Sequence, residues 1–300
     1  MTAGNYRFID PRALAAMGDL ALVARSVVDG YMFGLHPSRM PGAGLEFSQY
    51  RSYQAGDDLR RVDWKLYGRS DRYFVRDAEI ETSLTVRLVV DASASMAHAS
   101  GLSKFDYARF LAASIAMLCH RQGDATGLFA VAEGRLDATR PGRGQTHLHR
   151  IIHQLEGFEP AGVWPAWAEL EGAITAGGER GLVIIITDLH ERGDEIRSAV
   201  LRLAAMRHEV VVFHLTAPEE LDLSYGGPIE LEEIETGRVV EVDPALERAA
   251  YGAAVEADHR RYRRELQDRG VDYTRLTITE PLDAALRAFL VARGRSPGGR

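Results

Sequence analysis

Residues 89–96 read VVDASASM. A run of apolar β-formers ends on Asp91, and Ser93 and Ser95 follow at alternate positions. In a tight loop between a strand and a helix, a carboxylate and two hydroxyls at this spacing converge on one point. Such an all-oxygen set suits a hard ion such as Mg2+ and is poor for zinc. Two later segments offer more oxygens: GRGQTHL, which carries Thr146 ahead of a helix, and IIITDLH, in which Asp188 ends another apolar strand. Both are expected at the sheet edge that Asp91 occupies. Two carboxylates balance one divalent ion, and hydroxyls and waters complete its shell without adding charge. The competing reading is that Asp91 and Ser93 only cap the next helix, a place where Asp and Ser are favoured. Capping needs one such residue, however, and leaves Thr146 and Asp188 unexplained.

The elements that must position these residues follow from periodicity. From residue 84, β-rich runs alternate with helical ones: LTVRLVV, KFDYARFLAASIAMLCHRQ, ATGLFAVA, THLHRIIHQLEGF, GLVIIIT, EIRSAVLRLAAMRH and VVVFHL. Fully apolar strands between amphipathic helices predict a parallel sheet covered on both faces, hence an α/β, doubly wound, mostly parallel fold. In such sheets ligands bind beyond the carboxyl ends of the strands. Ahead of this region, Leu14, Met17, Ala21, Ala24 and Val28 form one apolar stripe that predicts a helix ending near Gly30. Residues 218–244 carry Gly turns and short alternations, which predicts a β-rich, hairpin-like insert. A charged helix is expected from Pro244 to Asp268, then the strand VDYTRLTIT and the helix PLDAALRAFLVAR. The expected layout is an N-terminal helix with an Arg/Asp/aromatic-rich appendage over 1–80, an α/β domain over 81–293 and a tail over 294–300.

Composition narrows the function classes. Hydrophobic residues at 46% and charged residues at 26% match an ordinary globular chain and exclude a fibrous or disordered one. A formal net charge of −7 argues against broad nucleic-acid binding. The single cysteine, Cys119, lies in an apolar helical pattern and is expected to be inert packing in a reducing compartment. The N-terminus lacks a signal-peptide pattern, and no apolar run approaches the ~18 residues of a membrane span, so a cytoplasmic location without a membrane span is expected. His147, His149 and His153 invite a zinc reading, but no Cys or carboxylate set accompanies them at ligand spacing, so solvated or capping roles are expected.

The set Asp91, Ser93, Ser95, Thr146 and Asp188 resembles the metal-ion-dependent adhesion site of von Willebrand factor A domains, in which D-x-S-x-S, a later Thr and a later Asp ligate one ion. The resemblance implies Mg2+ as cofactor, with Mn2+ or Ca2+ as alternatives, and a protein partner whose Asp or Glu supplies the remaining ligand.

A second resemblance lies upstream. Arg51, Tyr53, Gly56, Asp57, Asp58, Arg60, Asp63 and Trp64 form an R-x-Y-x-x-G-D-D-x-R-x-x-D-W run ahead of the D-x-S-x-SM stretch, and the chain is similar in this to the DUF58 family. That resemblance implies cooperation with an AAA+ ATPase of MoxR type in assembling or remodelling other proteins. Read physically, Gly56-Asp57-Asp58 is a turn signal. The charges around Trp64 form either a structural ion-pair network or a partner-docking surface of Arg51, Arg60, Asp63 and Trp64.

A non-enzymatic, metal-dependent protein-binding module is therefore expected. No G-x-x-x-x-G-K-[ST] loop is present, so an ATP-driven step has to come from a partner. The alternative is a Mg-dependent hydrolase or phosphoryl-transfer enzyme using the same site. Against it, the position where a D-x-D phosphotransferase places its second carboxylate is Ser93, and no G-x-S-x-G elbow occurs.

Overall fold

The computed structural model describes residues 10–35, 50–53, 64–70, 72–76, 84–99, 101–132, 134–176, 180–191, 193–223, 227–232 and 239–295. Two compact units divide the chain, one formed by residues 1–35 and 83–300 and the other by residues 36–82.

The larger unit begins with helices α1 (Pro11–Ala15) and α2 (Leu20–Leu35). The single helix expected here is broken because Gly18 takes φ +66°, after which the Asp19 carboxylate accepts the Leu22 N–H and starts α2. Helix α2 then runs past Gly30, its apolar stripe of Val23, Ala24, Val27 and Val28 fully buried in the main core. The N-terminal helix thus packs with the α/β unit, whereas the sequence groups it with the segment up to residue 80.

In the smaller unit, β1 (Tyr50–Ser52) pairs antiparallel with β2 (Phe74–Arg76), with α3 (Trp64–Ser70) between them in sequence. Its described aromatics cluster: Tyr67 and Tyr73 stack at 4.4 Å, and Trp64 meets both edge-on at 6.3 and 6.5 Å.

The remaining elements build a six-stranded sheet. In chain order they are β3 (Thr85–Asp91), α4 (Lys104–Arg121), β4 (Ala125–Ala132), β5 (Arg135–Gly142), α5 (Gln145–Gly157) and α6 (Trp167–Ile174). Next come β6 (Leu182–Thr187), α7 (Glu195–Ala205), β7 (Glu209–Thr216) and α8 (Pro218–Leu221). The antiparallel hairpin β8 (Ile229–Glu232) and β9 (Val239–Val242) then precedes α9 (Pro244–Gln267), β10 (Asp272–Thr277) and α10 (Asp283–Arg295). The sheet order is β10-β7-β6-β3-β4-β5, and every neighbouring pair is parallel except β4 with β5. This is the doubly wound, mostly parallel sheet the sequence predicts, and the hairpin-like insert between 218 and 244 is present.

Alternation along each strand sorts the two faces, as the period of two demands. Val86, Leu88 and Val90 of β3 join Leu128, Ile184 and Phe213 in the core beneath α2, α4, α5 and α10. Val89 joins Phe129, Ile185 and Val212 in a second core with Trp167, Leu170 and Val200 from α6 and α7. Burial on both faces explains why these strands read as continuous apolar runs.

Strand β5, RLDATRPG, is the element that periodicity misses. It is polar, it carries Pro141, and it lies at the sheet edge, where a missing N–H does no harm. Gly127 of β4 faces it because a Cβ there would lie 2.9 Å from the Pro141 ring. The strand reverses the chain direction, and the position of Thr146 depends on that reversal.

Candidate functional site at the sheet edge

Strands β3 and β6 are neighbours, and the chain runs from β3 to β4 on one side and from β6 to β7 on the other, so the carboxyl ends of β3 and β6 border the crevice expected of a doubly wound sheet. Val90 pairs with Ile186 in register, which sets Asp91 beside Thr187 and leads directly to Asp188. Asp91 and Ser93 are fully buried, and Ser95 and Asp188 nearly so.

A closed network of oxygens results. One Asp91 oxygen accepts the Ser93 N–H at 2.9 Å, and the other accepts the Thr187 hydroxyl at 2.6 Å. The hydroxyls of Ser93 and Ser95 lie 3.1 Å apart, and the Ser95 side chain helps to hold the Asp188 carboxyl down. Four of the five residues predicted from the sequence are therefore together: Asp91, Ser93, Ser95 and Asp188.

Thr146 is not with them. Strand β5 runs antiparallel to β4 and sets Gly142 against Thr126, near the amino end of β4, so α5 starts at the opposite edge of the sheet from Asp91. Thr146, in the first turn of α5, is exposed there. The loop that does flank Asp91 follows α5. The Ala161 N–H donates to the Ala92 carbonyl at 2.9 Å, and the Ala94 N–H donates to the Gly162 carbonyl at 2.8 Å. This loop, FEPAGVWPA over residues 158–166, contains no hydroxyl side chain.

A residue absent from the sequence expectation takes a central place instead. The Lys104 ammonium, 3% exposed, donates to Asp188 Oδ2 at 2.6 Å and to Glu220 Oε1 at 2.6 Å. Lys104 opens α4 immediately after its Ser103 cap, and a cation at a helix N-terminus opposes the helix dipole unless acids hold it. That mismatch is the signal that could have found it. Thr187, the residue before Asp188, was missed as well.

The electrostatics separate the two aspartates. Burial, then repulsion by Asp188, pushes the Asp91 carboxyl up to about 7 against the hydrogen bonds from Thr187 and Ser93. Burial acts on Asp188 in the same direction, but the Lys104 charge and hydrogen bond outweigh it and hold Asp188 below the usual carboxylate range. Lys104 is held above its ordinary value, since Asp188 and Glu220 overcome its desolvation. Backbone strain is concentrated here too: Leu189, next to Asp188, has φ 56°, a conformation costly for a side chain of its kind.

The residues present fit a hard divalent ion through Asp91, Ser93 and Ser95. Asp91 is a buried carboxylate held by neutral donors, and the adjacent hydroxyls are oxygen ligands of the right chemistry. Asp188, already paired with an ammonium, fits as a member of the surrounding hydrogen-bond shell. Among the described residues, no group of three or more His, Cys, Asp or Glu side chains could hold a metal by itself.

The other sequence candidates fall elsewhere. His147 hydrogen-bonds the Thr126 carbonyl at 2.6 Å and His149 bonds Gln145 at 2.8 Å, local roles rather than zinc ligation. Cys119 is buried, and burial pushes its thiol up to about 12. Of the docking candidates, Arg51 lies on β1 and Trp64 opens α3 with 58% of its surface exposed, while Arg60 and Asp63 lie outside the described residues. Among the described residues, no helix is long and apolar enough to cross a membrane.

Comparison with known proteins adds a family. The model described as protein of unknown function DUF58 matches residues 49–262. An uncharacterized protein of Mycobacterium tuberculosis is 32% identical over 296 residues, which is 95% of this chain and 91% of that one. Among solved structures, BatB of Bacteroides thetaiotaomicron is similar over 69% of this chain and 95% of its own, at 18% identity and a TM-score of 0.44. The VWA domain of SpRpn10 is similar over 72% of this chain and 97% of its own, at 9% identity and a TM-score of 0.38.

Proposed function

This chain belongs to the DUF58 family, and from that premise we propose that it is a non-enzymatic protein-binding module whose contact point is the sheet edge at Asp91. One Mg2+, or Mn2+ or Ca2+ in its place, is held there by Asp91, Ser93 and Ser95, and an Asp or Glu of the bound protein completes the shell. An ion with an open coordination position gains from a partner carboxylate, and exclusion of water at the interface strengthens that bond. The observation that carries this reading is the buried Asp91 carboxylate, whose hydrogen-bond partners among the described residues are neutral donors, beside two convergent hydroxyls.

The module works with an AAA+ ATPase of MoxR type in assembling or remodelling other proteins, since the chain carries no nucleotide-binding loop of its own. The exposed Trp64 face of the smaller unit, with Arg51, Arg60 and Asp63 near it in sequence, provides a second contact for that partner. Against hydrolysis stands Ser93, which cannot serve as the acid–base group that phosphoryl transfer through Asp91 requires.

A pull-down from lysate, with and without chelator, tests the proposal. The expected result is an ATPase of this class in the chelator-sensitive fraction and its loss with Asp91→Ala at unchanged circular dichroism. Calorimetry showing no divalent-ion uptake at millimolar Mg2+, with no chelator-sensitive protein captured, sinks it.

A further inference from the structure

Lys104 bridges two acids that belong to different parts of the molecule. Asp188 follows β6 at the edge site, and Glu220 lies on α8, the short helix that opens the insert. Glu220 does double duty, because its second oxygen accepts the Ala217 N–H at 2.8 Å and so caps α8. From α8 the connections lead outward. The Tyr251 hydroxyl donates to the Glu220 carbonyl at 3.0 Å, and the Arg248 guanidinium donates to the Leu223 carbonyl at 2.8 and 3.1 Å. Both Tyr251 and Arg248 belong to α9, whose only fully buried residues are Pro244 and Leu266. Polar contacts thus tie the first half of α9 to α8 and to Leu223 just beyond it, and the Lys104 ammonium ties Glu220 of α8 to the edge.

A divalent ion beside Asp91 and Ser95 faces that ammonium across Asp188. Two cations sharing one buried carboxylate repel strongly at low dielectric, so occupancy by either weakens the other. With Asp91, Asp188 and Glu220 ionised and Lys104 charged, the group carries two net negative charges. One divalent ion neutralises this charge, and the Asp188 carboxylate, lying between the ion and the ammonium, is the group for which the two cations compete.

We propose that Lys104 is a built-in cation that competes with the divalent ion for Asp188, and that its displacement transmits ion binding through Glu220 to α8 and the start of α9. The inference rests on the proposed ion site and adds to it a switch, with the Lys104 bridge closed when the ion is absent and open when it is bound. Lys104 is here a positioning residue.

The test uses the full chain and Mn2+ alone. Calorimetry compares wild type with Lys104→Met, and hydrogen–deuterium exchange follows residues 218–223 and 244–256 in wild type with and without Mn2+. Mn2+ binding at least tenfold tighter in Lys104→Met, with faster wild-type exchange in those segments on adding Mn2+, is expected. Binding confined to Lys104→Met also supports the proposal, since the lysine then blocks the site outright. Equal affinity in both proteins with unchanged exchange overturns the switch and leaves the ion site standing, whereas binding in neither overturns both. Should Lys104→Met not fold, Glu220→Gln carries the test: the same segments should exchange fast with or without Mn2+, and persistent protection overturns the coupling.

Discussion

The Thr187 hydroxyl donates to Asp91 Oδ2 at 2.6 Å, joining the last residue of β6 to the last residue of β3 across the crevice. Thr187 also accepts the Leu189 N–H at 3.0 Å, so one buried hydroxyl both orients the Asp91 carboxylate and closes the strained turn that carries Asp188. Thr187→Val keeps the shape and removes both bonds, leaving a carboxylate oxygen and an amide without their partner. A loss of about 1–3 kcal/mol in unfolding free energy is expected from chemical denaturation. Thr187→Ser, which keeps the hydroxyl and loses only the methyl, should retain most of the stability, and an unchanged unfolding free energy in Thr187→Val would show that the hydroxyl contributes nothing here.

His214 predicts an acid sensitivity. It is buried on β7, it shares a 2.6 Å hydrogen bond with Tyr273, and the His259 ring packs edge-on at 4.9 Å. Burial, then the charges of His259, Lys104 and Arg275, lowers it to about 3 against the pull of Asp188. The unfolded chain takes up this proton near the ordinary value of about 6.5 and the folded chain does not, so stability is constant above that pH and falls as pH drops toward 3. The contribution approaches about 1.4 kcal/mol per pH unit below 6.5. His214→Gln keeps a hydrogen-bonding group for Tyr273 and removes the titration. Melting curves at pH 7 and pH 5 should show a smaller drop in the variant than in wild type, and equal drops would refute this origin.

Elements buried on both faces were readable because their physics is local. Strands β3, β4, β6 and β7 are dominated by apolar residues, interrupted by Arg87 in β3 and His214 in β7, and α9 announces itself through Pro244 after the Asp243 cap. Strand β5 was not readable, since an edge strand needs neither apolar alternation nor every N–H, and RLDATRPG has the composition of a loop. Missing it inverted the expected direction of the chain entering α5 and put Thr146 at the wrong edge. Asp91, Ser93 and Ser95 were legible because all three lie within one turn of a single strand end. Lys104 was not, because its acids, Asp188 and Glu220, are 84 and 116 residues away in sequence.

Arg207 predicts a stabilising substitution. It follows the end of α7 with φ 63°, its N–H donating to the Ala204 carbonyl at 2.9 Å while the His208 N–H reaches the Leu203 carbonyl at 3.2 Å. This is the left-handed helix terminus that glycine fills without steric cost. The Arg207 side chain is exposed, so Arg207→Gly gives up little packing. A gain of about 0.5–1 kcal/mol is expected from thermal or chemical unfolding, relief of the left-handed conformation exceeding the added freedom of the unfolded chain. A destabilised variant would mean that the arginine makes a contact worth more than the strain.

Thr146 and Ser95 together decide how the edge site is composed. The sequence pattern gives both the same rank, as hydroxyl ligands of one ion. In the fold, Ser95 is 7% exposed within the Asp91–Ser93–Asp188 network, while Thr146 is exposed at the opposite edge of the sheet. Mn2+ affinity measured by calorimetry should fall at least tenfold in Ser95→Ala and stay within about twofold of wild type in Thr146→Ala, the tenfold step corresponding to about 1.4 kcal/mol. Ser95→Ala also removes the hydroxyl that contacts Ser93 and helps to hold Asp188 down, so its circular dichroism and melting temperature must be recorded with the titration. A loss in Thr146→Ala equal to that in Ser95→Ala would require α5 to begin at the Asp91 edge, which the antiparallel pairing of β5 with β4 forbids. Under the proposed ion binding, the oxygen assigned to Thr146 would have to come from water or from a partner, because the loop over residues 158–166 that flanks Asp91 offers no hydroxyl side chain.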